Sequence, residues 1–178
     1  MPVEDVGAPI VVRVSPLDRR RGILRLGPLA LPCALGRSGT TAHKREGDGA
    51  TPIGDHAILH GYINRDRWPM PPRAALLLRS VRPSDGWCDA TGDARYNRPV
   101  ALPYPASAET MVRGDRLYDA VLVLDYNVRT RVQGRGSAIF FHVAKAGYPP
   151  TEGCIAVSPQ HMRLLLPHLR RGRTVRVV

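Results

Sequence analysis

Hydrophobic positions in this chain come in short alternating runs and short apolar blocks, with one helical stripe near the C-terminus. Ile10–Val14 and Gly22–Leu26 alternate in the manner of strands on either side of Ser15, Pro16 and the arginines at 19–21, as the arms of a hairpin do. Leu31–Leu35 predicts a third strand, and Ala57–Tyr62 a further one after the turn-rich segment from Lys44 to Gly54. Leu76–Leu78, Ala120–Leu124 and the apolar, aromatic run Ala138–Val143 have the composition of buried strands. Ser107 is placed to cap a short helix over Ala108–Arg113. A clearer helix starts at Ser158, with Pro159 in the first turn and Leu164, Leu165 and Leu169 as its apolar face. Arg170 and Arg171 suit its negative end and Gly172 its stop, and Thr174–Val178 then reads as a closing strand. Pro69, Pro71 and Pro72 exclude Trp68–Arg73 from a central strand, which makes that segment an extended loop at the surface or over a cleft.

Composition agrees with this pattern. The 178 residues suit a single domain spanning 1–178, and 43% apolar residues can bury a core. Seventeen glycines and 17 prolines without a Gly-X-Y period call for many turns, hence a mainly β domain with one or two short α-helices rather than a helical bundle. The longest apolar runs fall well short of a membrane span, so no transmembrane segment is expected. The first thirty residues show no secretory signal pattern.

A formal charge of +11 favours acidic partners. The arginines are scattered, however, with no basic stripe interleaved with aromatics, no helix-turn-helix and no zinc-finger spacing. A solvated basic surface is the better reading than nucleic-acid binding. Cys33, Cys88 and Cys154 form no C-x-x-C pair, which argues against structural zinc. A Cys33–Cys88 disulfide is one arrangement, and an odd count leaves at least one thiol unpaired. His56 and His60, four apart in a β-type run, share a face but lack a third ligand, so no metal or cofactor is expected.

The chemistry concentrates at His142 and Cys154. His142 ends a buried strand, and the segment Thr151-Glu152-Gly153-Cys154 sets a cysteine behind a glycine. Gly153 permits close approach of a substrate, and the backbone N–H groups around Gly153 and Cys154 are candidates to hold an oxyanion. His142 is a candidate base for the thiol, because the thiolate is the attacking species. The bland alternative is a buried apolar cysteine beside a hydrogen-bonded histidine.

Phe141-His142, Gly147 and Thr151-x-Gly-Cys-Ile, with Gly49-Ala50-Thr51-Pro52-Ile53-Gly54 upstream, resemble the YkuD-type L,D-transpeptidase catalytic domain. The resemblance covers about Thr41 to the C-terminus and includes Trp87-Cys88-Asp89 and Tyr96-Asn97-Arg98. It implies a β-sandwich or barrel that crosslinks peptidoglycan stems through a cysteine thioester, in the periplasm or cell envelope. It makes Cys154 the nucleophile and His142 the base, with Gly153 at the oxyanion site. Thr151, Glu152, Trp87, Tyr96 and Asn97 become candidates for the substrate groove, with core packing the alternative for the last three. This chain departs from the usual Ser-His-Gly-Cys: Glu152 replaces the second histidine, Ala156 stands two after the cysteine, and the His142–Cys154 spacing is short. Glu152 is suited to recognising an amine, or to solvation in a loop. The prolines at 69–72 and Pro99, Pro103 and Pro105 are expected to narrow the cleft and favour the first over the third stem residue as donor. A stem-trimming hydrolase and a wall-binding module remain as alternatives.

Overall fold

A computed structural model describes residues 7–68 and 74–178. Strands β1 (Ile10–Val14), β2 (Arg21–Leu26) and β3 (Leu29–Ala34) form a meander, followed by the two-residue strands β4 (Thr40–Thr41) and β5 (Thr51–Pro52). The long β6 (Gly54–Ile63) precedes β7 (Leu78–Ser80), then β8 (Asp85–Cys88), β9 (Arg98–Ala101) and β10 (Ala108–Thr110). Next come β11 (Ala120–Leu124), β12 (Phe140–Val143), β13 (Ile155–Val157), helix α1 (Pro159–Leu165) with a 3-10 turn at Leu166–His168, and β14 (Thr174–Val177).

The main sheet runs β11-β12-β13-β3-β2-β1-β14-β6-β7, and a further pairing of β11 with β6 closes eight of these strands into a barrel. It is mixed: β12 lies parallel to β13 and β1 parallel to β14, while the remaining pairs in the ring are antiparallel. Closure leaves the ring without a free edge. The strand β7 pairs with the far end of β6, outside it. Mainly β architecture with one short helix is thus what the turn-rich composition predicts.

β11 and β12 are buried at every position. One face of each, through Leu122, Leu124 and Phe141, joins the barrel core. The other face, through Val121, Val123 and Phe140, packs with Trp87, Met111 and Tyr118 in a second cluster under the small sheet β10-β8-β9. Burial on both faces is why these strands read as apolar blocks and not as alternating runs.

Several elements differ from the sequence expectation. Ala108–Arg113 is not a helix: Ala108–Thr110 pairs with β8, because the ladder satisfies backbone groups that a helix of one or two turns would leave open. Leu77 is 75% exposed, and the strand near it lies at Leu78–Ser80. In α1 the core-facing stripe is Met162, Leu165, Leu166 and Leu169, whose spacing excludes Leu164, which is exposed. Ser158 does cap this helix, accepting from the His161 N–H at 3.2 Å. Pro167 ends it before Arg170 and Arg171. All three cysteines are free, so Cys33 and Cys88 form no disulfide. His56 and His60 do not share a face, since β6 carries one extra residue between Ile58 and His60 where it pairs with β11. Pro69, Pro71 and Pro72 lie outside the described residues.

Gly36 fixes how the loops behind the cleft meet. Its N–H donates to Thr51 Oγ1 at 2.9 Å, and it bridges to Thr151. A Cβ at Gly36 would lie 2.3 Å from the Gly49 carbonyl oxygen, a backbone atom that cannot swing aside. Gly36→Ala is therefore expected to destabilise the fold by about 1–3 kcal/mol in denaturant unfolding. An unchanged midpoint would contradict this close approach.

Candidate active site

His142 sits third in β12, opposite Val121 of β11, on the same face as Phe140 and away from the barrel core. It is 3% exposed. Its Nδ1 lies 2.8 Å from the Val143 carbonyl. A carbonyl only accepts, so Nδ1 carries the proton and Nε2 is the basic nitrogen. The Tyr118 ring meets His142 edge-on at 5.3 Å, and the Tyr118 hydroxyl donates to Glu109 Oε2 at 2.5 Å. Arg113 covers the Tyr118 ring, 5.0 Å from its centroid. Burial pulls the His142 imidazole down to about 4.

Cys154 is held by the turn that precedes it. Thr151 Oγ1 donates to the Cys154 carbonyl at 2.7 Å and accepts from the Gly153 N–H at 3.2 Å. Thr51 Oγ1, from the upstream Gly-Ala-Thr-Pro segment, reaches the same carbonyl at 3.4 Å. Gly153 has φ of 129°, and a Cβ there would stand 2.8 Å from the Ala50 carbonyl oxygen, so only glycine fits. The Gly153 N–H, expected to face an oxyanion, is engaged by Thr151 instead. The Cys154 thiol donates to the Ala138 carbonyl at 3.3 Å and accepts from the Phe140 N–H at 3.4 Å. Burial pushes the thiol up to about 12, and the Glu109 carboxylate adds to the effect.

Both groups line one cleft of about 410 Å³. Thr151 and Glu152 also line it. Glu152 is largely exposed at the rim and pairs with Arg37 at 2.8 Å, an open contact of small energetic weight. Trp87, Tyr96 and Asn97 do not reach the cleft: each is 1% exposed and packed inside. Trp87 Nε1–H donates to Asn97 Oδ1 at 2.9 Å, and the Tyr96 hydroxyl donates to Glu46. Pro99, Pro103 and Pro105 also lie away from it, whereas Pro149 and Pro150 form part of its wall.

Sequence reading missed Glu109, Tyr118, Arg113 and Asp89, which the fold brings to the same walls. Glu109 was hidden by the helix expected over Ala108–Arg113. Partial burial raises its pKa, opposed by the Tyr118 hydrogen bond. Among the described residues no group of three His, Cys, Asp or Glu side chains could hold a metal ion.

The depressed imidazole couples stability to pH. An unfolded chain protonates His142 near the ordinary 6.5, the folded chain only near 4. Between these values the unfolded state binds the extra proton, so stability falls as pH drops through that window. His60 is also lowered and acts in the same direction, while Glu109 is raised and opposes it. The melting temperature should therefore fall less steeply from pH 6.5 to pH 4 in His142→Gln than in the unmodified protein; equal slopes would show that His142 is not the group being charged.

No curated relative matches the chain. A solved structure, that of Bdellovibrio bacteriovorus Bd1075, aligns at TM-score 0.45 and 14% identity over 99% of this chain and 49% of that one. The chain thus spans about half the length of that structure. A family match runs over residues 11–177, starting well upstream of Thr41, so that the meander of β1–β3 is part of the domain. With Cys154 and His142 on one cleft of a closed mixed barrel, and that match over nearly its whole length, the chain belongs to the YkuD family of L,D-transpeptidase catalytic domains.

Proposed function

We propose that this protein is a cysteine-dependent L,D-transpeptidase that crosslinks peptidoglycan stem peptides at the cell envelope, with Cys154 as nucleophile and His142 as base. The observation that carries this reading is the shared cleft, where a free thiol and an imidazole with its Nδ1 proton fixed by Val143 stand on the same walls.

At rest both groups are neutral, since burial disfavours thiolate and imidazolium alike. Proton transfer then accompanies attack. As Sγ bonds to a stem carbonyl carbon, Nε2 of His142 takes the thiol proton, and charge moves to the carbonyl oxygen. With the Gly153 N–H bonded to Thr151, the Cys154 N–H is the backbone donor beside that oxygen. Collapse expels the leaving amine, which takes the proton from Nε2 and leaves a thioester. An amine of a second stem attacks this thioester and gives a proton to Nε2, and the thiol is restored as sulfur departs with that proton. The walls carry both signs, Lys44, Arg113 and Lys145 beside Glu109 and Asp89, with Lys44 paired to Asp48, Arg113 and Lys145 to Asp115, and Glu109 bonded to Tyr118. In this reading the first stem residue serves as donor, in place of the third.

Purified protein and Cys154→Ala are to be incubated with defined muropeptides and the products resolved by tandem mass spectrometry. Dimers formed only by the unmodified protein are expected, with fragments that locate the donor on the first stem residue. Fragments locating it on the third would overturn the donor assignment alone. Shortened monomers without dimers would mean a hydrolase, and product that survives Cys154→Ala would sink the nucleophile. His142→Ala should lower turnover by roughly 10²–10⁴-fold, the usual worth of a positioned base.

A further inference from the structure

Tyr96 and Asn97 stand outside the cleft, yet both are bonded to the backbone that borders the thiol. Tyr96 Oη accepts from the Gly136 N–H at 3.1 Å, and Asn97 Oδ1 accepts from the Ala138 N–H at 3.0 Å. The same Asn97 oxygen accepts from Trp87 Nε1–H at 2.9 Å, while Nδ2 donates to the Tyr126 carbonyl at 3.2 Å. Both acceptor positions of the amide oxygen and one of its two N–H groups are thus engaged, which fixes its orientation and ties it to one backbone N–H two residues before β12.

That N–H belongs to a residue in an unfavourable conformation. Ala138 has φ of 52°, a left-handed geometry that residues with a Cβ rarely adopt without an external constraint. Its carbonyl is the acceptor of the Cys154 S–H. The other contact to sulfur, the Phe140 N–H, lies in β12 and is held by pairing with Val123, independently of Asn97. An acceptor on a thiol proton favours the neutral thiol, and a donor to sulfur favours the thiolate.

We propose that Asn97 is a positioning residue for Cys154: by clamping the Ala138 N–H it holds the left-handed turn that aims the Ala138 carbonyl at the thiol, keeping the proton on sulfur and the side chain in place until substrate binds. This rests on Cys154 being the nucleophile. Losing the clamp releases the carbonyl but leaves the Phe140 donor, so the thiol should become easier to ionise while catalysis becomes poorer. A merely structural role for Asn97 would be matched by other destabilising changes around it and would not be reversed by a glycine at position 138.

The test is the rate of Cys154 alkylation by iodoacetamide against pH, followed by peptide mass spectrometry to separate it from Cys33 and Cys88, beside muropeptide turnover. Asn97→Ala is expected to alkylate about five-fold faster at neutral pH, the worth of one ordinary hydrogen bond, with reduced turnover. Adding Ala138→Gly should bring alkylation back toward the unmodified rate, because glycine keeps a positive φ without a clamp. Trp87→Phe, which removes the other donor to Asn97 and trims the ring packed edge-on against Phe140 while leaving the Asn97 bond to Ala138 in place, should lower stability and leave the alkylation profile in place. An unchanged or slower profile in folded Asn97→Ala, or an equal acceleration in Trp87→Phe, would overturn the clamp. Should Asn97→Ala not fold, Asn97→Asp keeps the acceptor oxygen and must alkylate no faster than the unmodified protein; faster alkylation refutes the proposal. Turnover persisting in Cys154→Ala would sink the nucleophile assignment by itself, whatever the alkylation rates show.

Discussion

The Cys154 carbonyl accepts from two threonine hydroxyls, Thr151 at 2.7 Å and Thr51 at 3.4 Å, and the site depends on that convergence. The first contact closes the turn that presents the cysteine. The second ties this turn to a segment far earlier in the chain, which is anchored in turn through Thr51 Oγ1 to the Gly36 N–H. Two glycines make the approach possible. Gly36 lies against the Gly49 carbonyl and Gly153 against the Ala50 carbonyl, each too close for a Cβ. The residues that look like a catalytic motif around Cys154 therefore divide in two: the thiol faces the cleft, while Thr151 and Gly153 chiefly build the turn behind it.

Burial on both faces of β11 and β12 sets the electrostatics. With the barrel core on one side and the cluster around Trp87, Met111 and Tyr118 on the other, His142 and Cys154 are almost withdrawn from water. Desolvation penalises the charged form of each, lowering the imidazole and raising the thiol. Each group thus rests in its neutral form, with its hydrogen bonds made to backbone partners. The backbone carbonyls of Val143 and Ala138 hold one proton on each group.

The net charge of +11 says little about the cleft. Most arginines are scattered over the outside, several in exposed pairs such as Arg176 with Asp55 and Arg20 with Asp18. The cleft itself carries both signs, Glu109 and Asp89 alongside Lys44, Arg113 and Lys145.

The sequence by itself determined the local elements whose residues also face their final environment. The hairpin of β1 and β2, the cap at Ser158 and the apolar blocks of β11 and β12 were legible because their patterns encode burial directly. His142 and Cys154 were legible as candidates close in sequence, and the fold sets both on one cleft. Tertiary structure alone decided what depends on distant pairing. Ala108–Thr110 became a strand because β8 was there to pair with it, which put Glu109 on the cleft wall. Trp87, Tyr96 and Asn97 went inside because the small sheet covers the outer face of the barrel wall. Leu164 faced out because only one stripe of a short helix can meet the core. Aromatic and amide side chains suit a groove and a packed interior equally well, and only the fold determines which of the two surrounds them.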